Sequence, residues 1–188
     1  MGTPEKKPWE VPNVPWKSEA AFWSWLRGGI RRIWSSHPVK TLYMDAKRRK
    51  IPNPSPKNAK RFPEVWGVVC ECCGKEVAQK DSEVDHINQS GSFKSLEDIQ
   101  GFIERMFFVD FSSIRILCKP CHSVVSHAQN KGMTFEEAKI DKEIIEIMKW
   151  KPKKRIDDFC EEHGYNDVSN DVKRKAAVSA ILKGERNV

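Results

Sequence analysis

Six cysteines stand in this chain of 188 residues, and four of them form two C-x-x-C pairs: Cys70 with Cys73, and Cys118 with Cys121. Two thiolates three positions apart on a tight turn converge on one point. Two such turns complete a tetrahedral shell, so the pattern predicts one structural Zn2+ held by Cys70, Cys73, Cys118 and Cys121. Gly74, directly after Cys73, suits the turn of a zinc knuckle. The N-terminus MGTPEKKPWEVP lacks the apolar stretch of a secretory signal, and in a reducing compartment such pairs bind metal in preference to forming disulfides. Cys72 could compete with its neighbours as a ligand, and Cys160, far off in a helical segment, reads as a buried thiol.

The 44 residues between Cys73 and Cys118 are too many for a minimal zinc ribbon, and they contain Val84-Asp85-His86-Ile87. The second knuckle runs directly into His122. At a strand end, Asp85 could bind a divalent ion while His86 reaches a water. His122, at the start of a helix, could face that strand and complete a metal site with Asp85. Such a set suits phosphodiester hydrolysis. A divalent ion on the scissile phosphate stabilises the charge of the transition state. A neutral imidazole, with an unperturbed pKa of about 6.5, takes a proton from water at neutral pH. Open coordination positions favour Mg2+, and a histidine ligand also admits Mn2+, Ni2+ or Zn2+. His127, five residues past His122, is not on the same helical face.

The elements that must position these residues follow from the local patterns. Residues 65–69 read as a strand entering the first knuckle. Residues 76–78 and 83–87 read as a hairpin turning at 79–82, and residues 114–117 as a strand entering the second knuckle. Ser95 is expected to cap a helix over 96–107, and a helix starts near Lys119. Upstream, residues 1–17 carry prolines and tryptophans and read as an extended arm. Ser18 opens a helix over 19–34 with Phe22, Trp25 or Leu26, Gly29 and Ile33 at helical spacing. A second basic helix is expected over about 39–50, then a linker with four prolines over 51–63. Downstream, Thr134 and Glu137 make a capping box for a helix ending near Trp150. Two more helices, over 156–163 and 169–182, form either a plain hairpin or a helix-turn-helix. The organisation expected is thus an arm (1–17), a basic helical arm with linker (18–62), a zinc-bearing core (63–130) and a helical C-terminal region (131–188).

Charge is uneven. Residues 1–62 hold 14 Lys/Arg and 4 Asp/Glu, whereas the remainder is near neutral at −3. A basic arm on a near-neutral body suits a polyanion, because Lys and Arg at phosphates release condensed counterions. Arg27, Arg31 and Arg32 on the first helix, and Lys47, Arg48, Arg49 and Lys50, are the candidate phosphate contacts. Mean hydropathy is −0.62 and no run of 18 apolar residues exists, so no membrane span is expected.

Val84-Asp85-His86-Ile87, followed about thirty residues on by Leu117-Cys118-x-x-Cys121-His122, resembles the HNH nuclease motif. The resemblance covers residues 65–130. The flanks WSWLRGGIRRIWSSHPVK and SLEDIQGFIERMFF also look like those of small HNH and homing endonucleases carried by bacteriophages. It implies an α+β fold, a ββα-metal, treble-clef-like core stapled by zinc and flanked by helices at both ends. It further implies a DNA endonuclease in which His86 is the general base and Asp85 and His122 bind the catalytic ion. The substrate would be double-stranded DNA and the chain a monomer or homodimer. A cytoplasmic viral protein acting in a bacterial host is what the resemblance implies for location. The family's middle Asn is replaced by Ser113, whose hydroxyl or carbonyl could take part of its role. That departure keeps alive an alternative, a non-catalytic zinc-stapled module that binds nucleic acid or protein.

Overall fold

Ser18 opens the first helix as expected. Its Oγ accepts the Ala21 N–H at 3.2 Å, and α1 runs Glu19–Trp34. The computed structural model describes residues 6–184, so residues 1–5 of the arm expected over 1–17 lie outside the described residues. The buried stripe of α1 differs from the expected one. Trp25 is 55% and Ile33 58% exposed, whereas Trp23 is buried among Phe93, Phe102 and Met106, flanked by Phe22, Leu26 and Ile30. Residues 22, 26 and 30 follow helical i, i+4 spacing. Aromatic pairing selects that stripe: Trp9 meets Phe22, Phe22 meets Trp23 and Trp23 meets Phe93, all with centroids 5.0–5.9 Å apart.

Helix α2 (Pro38–Lys47) begins on a proline at its first turn and is shorter than the helix expected over 39–50. At Arg48 the backbone turns extended and enters β1 (Arg49–Pro52). The basic run 47–50 is therefore a helix end followed by a strand, and the expected linker supplies the rest of that strand. β1 pairs antiparallel with β2 (Glu64–Val69), which pairs with β3 (Glu76–Ala78) in the order β1-β2-β3. Ile51 brings β1 to the sheet. It pairs with Val65 and its side chain is buried over Gly67, where an added Cβ would lie only 2.3 Å from Ile51 Cδ1, so the missing side chain is what admits it.

The hairpin expected between 76–78 and 83–87 does not form. A 3-10 turn, Gln79–Asp81, carries the chain from one sheet into another. There β4 (Ser82–His86) pairs antiparallel with β5 (Ile114–Cys118), in register from Ser82 opposite Cys118 to His86 opposite Ile114. The inward residues decide the pairing: Val84, Ile114 and Ile116 bury together with Val68 and Tyr43. A continuous apolar face outweighs the short local turn. Helix α3 (Glu97–Phe107) is inserted between β4 and β5, and α4 (Lys119–Lys131) follows β5 without a break.

The chain divides into two compact units, one ending at Lys119 and one beginning at Pro120. The second holds most of α4, then α5 (Phe135–Met148), α6 (Lys154–Glu162) and α7 (Asp171–Lys183). Thr134 and Glu137 form the expected capping box. Ile144, Ile147, Ile156, Cys160 and Val178 make the core of this unit, and Arg174 of α7 grips Asp157 of α6 at 2.6 Å. The chain is thus mixed α+β with small sheets. Among the described residues no helix is long and apolar enough to cross a membrane.

Candidate functional site

The cysteine pairs come together. The sulfur atoms of Cys70, Cys73, Cys118 and Cys121 all lie within 4.8 Å of one another, with Cys73 and Cys118 at 4.0 Å. Zinc–thiolate bonds of about 2.3 Å in a tetrahedron require sulfurs about 3.8 Å apart. The donor set therefore fits a closed, structural metal such as Zn2+. Gly74 takes φ +71° and its N–H donates to the Cys70 carbonyl at 2.9 Å, closing the first knuckle. Burial pushes the Cys70 thiol up. The amides of Cys118, Cys73 and Cys72 and the Cys73 thiol, all directed at its sulfur, outweigh that and bring it down to about 6. Such a sulfur is prepared to be a thiolate ligand. Cys72 is exposed and outside the group, and Cys160 is buried, where desolvation pushes its thiol up.

Glu71, inside the first knuckle, ties it to the neighbouring strand. Its carboxylate accepts the Tyr43 hydroxyl at 2.9 Å, the Ile116 N–H and the Lys47 ammonium at 3.3 Å. Burial works against its ionisation, but these donors prevail and hold its pKa below the usual value. Its own N–H donates to the Ile116 carbonyl at 2.8 Å. Since β5 ends at Cys118, these bonds fix the first knuckle against the strand that delivers the third cysteine.

His86 is the last residue of β4. Its Nε2–H donates to the Met106 carbonyl at 3.0 Å. Met106 lies in the final turn of α3, where carbonyls lack helical partners, so this acceptor is available for a ring nitrogen. The bond puts the proton on Nε2 and the lone pair on Nδ1. Trp34, the last residue of α1, lies against the ring at a centroid distance of 4.2 Å. His37 follows at 5.2 Å from Trp34 and stacks on Phe107 at 5.8 Å, with its Nδ1 buried and without a hydrogen bond. Asp85 is half-buried, and its Oδ2 faces Nη2 of Arg115, its cross-strand partner, at 3.4 Å. The Arg115 Nε is buried without a hydrogen bond.

Ser113 closes a turn. Its Oγ donates to the Asp110 carbonyl at 2.9 Å and accepts the Asp110 N–H at 2.8 Å, while its carbonyl accepts Ile87 N–H at 3.0 Å. The imidazole of His86 is thus held by Met106, and Ser113 acts on the backbone beside it. His122 lies half-buried in the first turn of α4. His127 bonds Asp141 of α5 through Nε2 at 2.7 Å. Among the described residues, the four cysteines are the one group of three or more potential ligands with converging donor atoms.

Several of the basic residues serve the fold. Arg27 donates to the Phe93 carbonyl and Arg31 to the Gly91 carbonyl, both at 2.7 Å, and Arg105 donates to Ser90 at 2.9 Å. Together they staple the segment that follows β4. Arg49 pairs with Glu76, and Arg48 and Lys50 lie over Trp66. Arg32 is exposed. Sequence reasoning missed Met106, Trp34, His37, Arg115 and Glu71. Met106 acts through its backbone and leaves no signal, whereas a charged residue within Ile114-Arg115-Ile116-Leu117 and an acid inside a cysteine knuckle are both visible in the chain.

No family model, curated protein or solved structure matches this chain.

Proposed function

We propose that the protein is a metal-dependent endonuclease that hydrolyses phosphodiester bonds of double-stranded DNA, as its resemblance to the HNH family implies. The observation that carries the reading is the setting of His86: a strand-end imidazole with Nε2–H fixed on a helix-end carbonyl and its face on Trp34. In this role the Nδ1 lone pair takes a proton from a water as the water oxygen bonds to phosphorus and the bond to the leaving oxygen breaks. Solvent then protonates the leaving oxygen. The Met106 carbonyl holds the ring's tautomer, and Trp34 packs against the ring and holds its orientation.

Asp85 and His122 would hold a divalent ion, Mg2+ or Mn2+ with Ni2+ and Zn2+ as variants. When bound, that ion would stabilise negative charge on the phosphate and leaving oxygen. Arg115, beside Asp85, is in position to take up a phosphate oxygen once the carboxylate is otherwise engaged. One such site per chain nicks one strand, and a double-strand break would need a homodimer or two events. The Asp85–Arg115 pair also favours a second reading, a zinc-stapled nucleic-acid-binding protein without catalysis, in which Asp85 is simply an ion-pair partner.

The test is nicking of supercoiled plasmid with Mg2+, Mn2+ and Ni2+ in turn, beside His86→Ala at matched zinc content. Nicking is expected to depend on the ion and to fall about 100-fold or more in the variant. DNA binding without cleavage by the wild type under every ion would favour the second reading. Equal cleavage by both proteins would place the chemistry elsewhere.

A further inference from the structure

The β1-β2-β3 sheet carries an exposed aromatic surface that the proposed catalytic residues do not use. Trp66 lies on the central strand β2, opposite Lys50 of β1, yet it is 43% exposed. The Lys50 ammonium sits 4.4 Å and the Arg48 guanidinium 4.6 Å from its ring centroid. Arg48 also meets Asp45 at 3.1 Å. Phe62, 54% exposed, has Arg61 at 5.1 Å. Between the two rings is a hollow of about 290 Å³, edged by Asn53, Asn58, Val65 and Lys80. Residues 46–63 contain seven Lys/Arg and no Asp or Glu.

Two partly exposed aromatic rings, each with cations lying over it, call for a partner that brings a flat apolar face together with negative charge. A nucleotide has both. In a duplex the base faces are stacked away and only phosphates are presented, so Trp66 and Phe62 would contribute little there. Unpaired nucleotides offer their faces directly, and aromatic residues in a basic groove are how such strands are held. We propose that the face formed by Trp66, Phe62, Arg48 and Lys50 is a stacking platform for unpaired nucleotides. Bases lie on the two rings, while Arg48 and Lys50 exchange the indole face for phosphate oxygens. The proposal shares with the nuclease reading only the class of partner.

The test uses the full chain, zinc-loaded and without added divalent ion, and follows fluorescence anisotropy of a labelled oligothymidylate. An abasic oligomer with the same number of phosphates and a polyglutamate serve as probes of charge alone. Trp66→Ala is expected to weaken oligothymidylate binding about tenfold or more, because stacking is lost, and to leave abasic binding unchanged. Trp66→Phe keeps a ring and retains most of the affinity. Circular dichroism and zinc content establish that the variants are folded. Equal oligothymidylate affinity for wild type and Trp66→Ala overturns the platform. So does a loss by the same factor for the abasic oligomer or polyglutamate, which would mark a site for charge or for an acidic protein. Plasmid nicking is read separately. Absent wild-type nicking with base-dependent binding intact would fault the nuclease reading alone, and unchanged binding with nicking intact would fault the platform alone.

Discussion

Replacing Glu71 by Gln tests the tie between the first cysteine knuckle and β5, and Tyr43 reports on it. Burial first, then the hydrogen bond to Glu71 and the charge there, push the Tyr43 phenol from 10.0 up to about 12. Two units correspond to about 3 kcal/mol between phenol and phenolate. A Gln side chain keeps an acceptor but loses the charge. The phenol is therefore expected to titrate below 12 and still above 10.0, because its burial persists. A pKa raised in the folded state stabilises fully below the unfolded value and loses that contribution as pH rises through the folded one. Alkaline destabilisation should thus begin near pH 10 in both proteins, but in the variant it should be smaller and end at lower pH. At neutral pH a second effect appears. One oxygen of Glu71 already accepts both the Tyr43 hydroxyl and the Ile116 N–H, so a glutamine can keep both bonds, but without the charge each is weaker by about 1 kcal/mol. The Lys47 contact is partly exposed and adds about 0–1 kcal/mol. The chain has two tyrosines, so in a Tyr165→Phe background the ultraviolet phenolate signal belongs to Tyr43. Identical titrations with and without the Glu71→Gln substitution, together with equal urea midpoints, would refute the tie.

Two further outcomes follow from the fold. Gly67→Ala puts a methyl group 2.3–2.9 Å from three atoms of buried Ile51, so that side chain must move, at about 1–3 kcal/mol. An unchanged urea midpoint at saturating zinc would mean that Ile51 does not pin β1. Metal analysis should find one zinc per chain, and Cys118→Ser or a chelator should remove it with loss of thermal stability. Cys160→Ser, in the core built by α5, α6 and α7, should keep its zinc. A zinc-free wild type of full stability would dismiss the cage.

The cluster of four cysteines was legible because thiol ligands announce themselves by spacing, and spacing within each pair is local. Two cap sites were legible for the same reason: Ser18 and the Thr134–Glu137 box sit within one turn of the amides they satisfy, whereas Ser95 does not cap α3, which starts after Leu96 without a side-chain cap. Strand pairing was not. Residues 76–78 and 83–87 are separated by a plausible turn, and nothing local tells that Val84 buries against Ile114 and Ile116 about thirty residues away. Nor could charge reveal its own use. Arg27 and Arg31 looked like phosphate ligands, yet their guanidinium groups hold backbone carbonyls of the segment after β4. A count of basic residues measures how much charge exists and is silent on how much of it the protein itself consumes. The environment of His86 was hidden for another reason. Its ring is held by a carbonyl and an indole from two helices distant in sequence, and a backbone acceptor has no residue type.

The Asp85–Arg115 pair bears on which of the two functional readings is correct, and energetics favour neither by default. Both side chains remain partly exposed, and the 3.4 Å separation is long for a charge-assisted hydrogen bond. At this separation the pair lacks a strong hydrogen bond, so a divalent ion that gains a carboxylate ligand could displace the guanidinium. In the nuclease reading the displaced group would not become a liability, because a phosphodiester arriving with the ion would supply the anion that Arg115 has lost. Arg115→Lys should separate the cases. A point charge keeps the attraction to Asp85 but loses the planar fork that grips two oxygens at once. If Arg115 only neutralises Asp85, DNA affinity and nicking are unchanged. If it takes over the phosphate, nicking by the variant falls at least several-fold while zinc content and fold stay as they were.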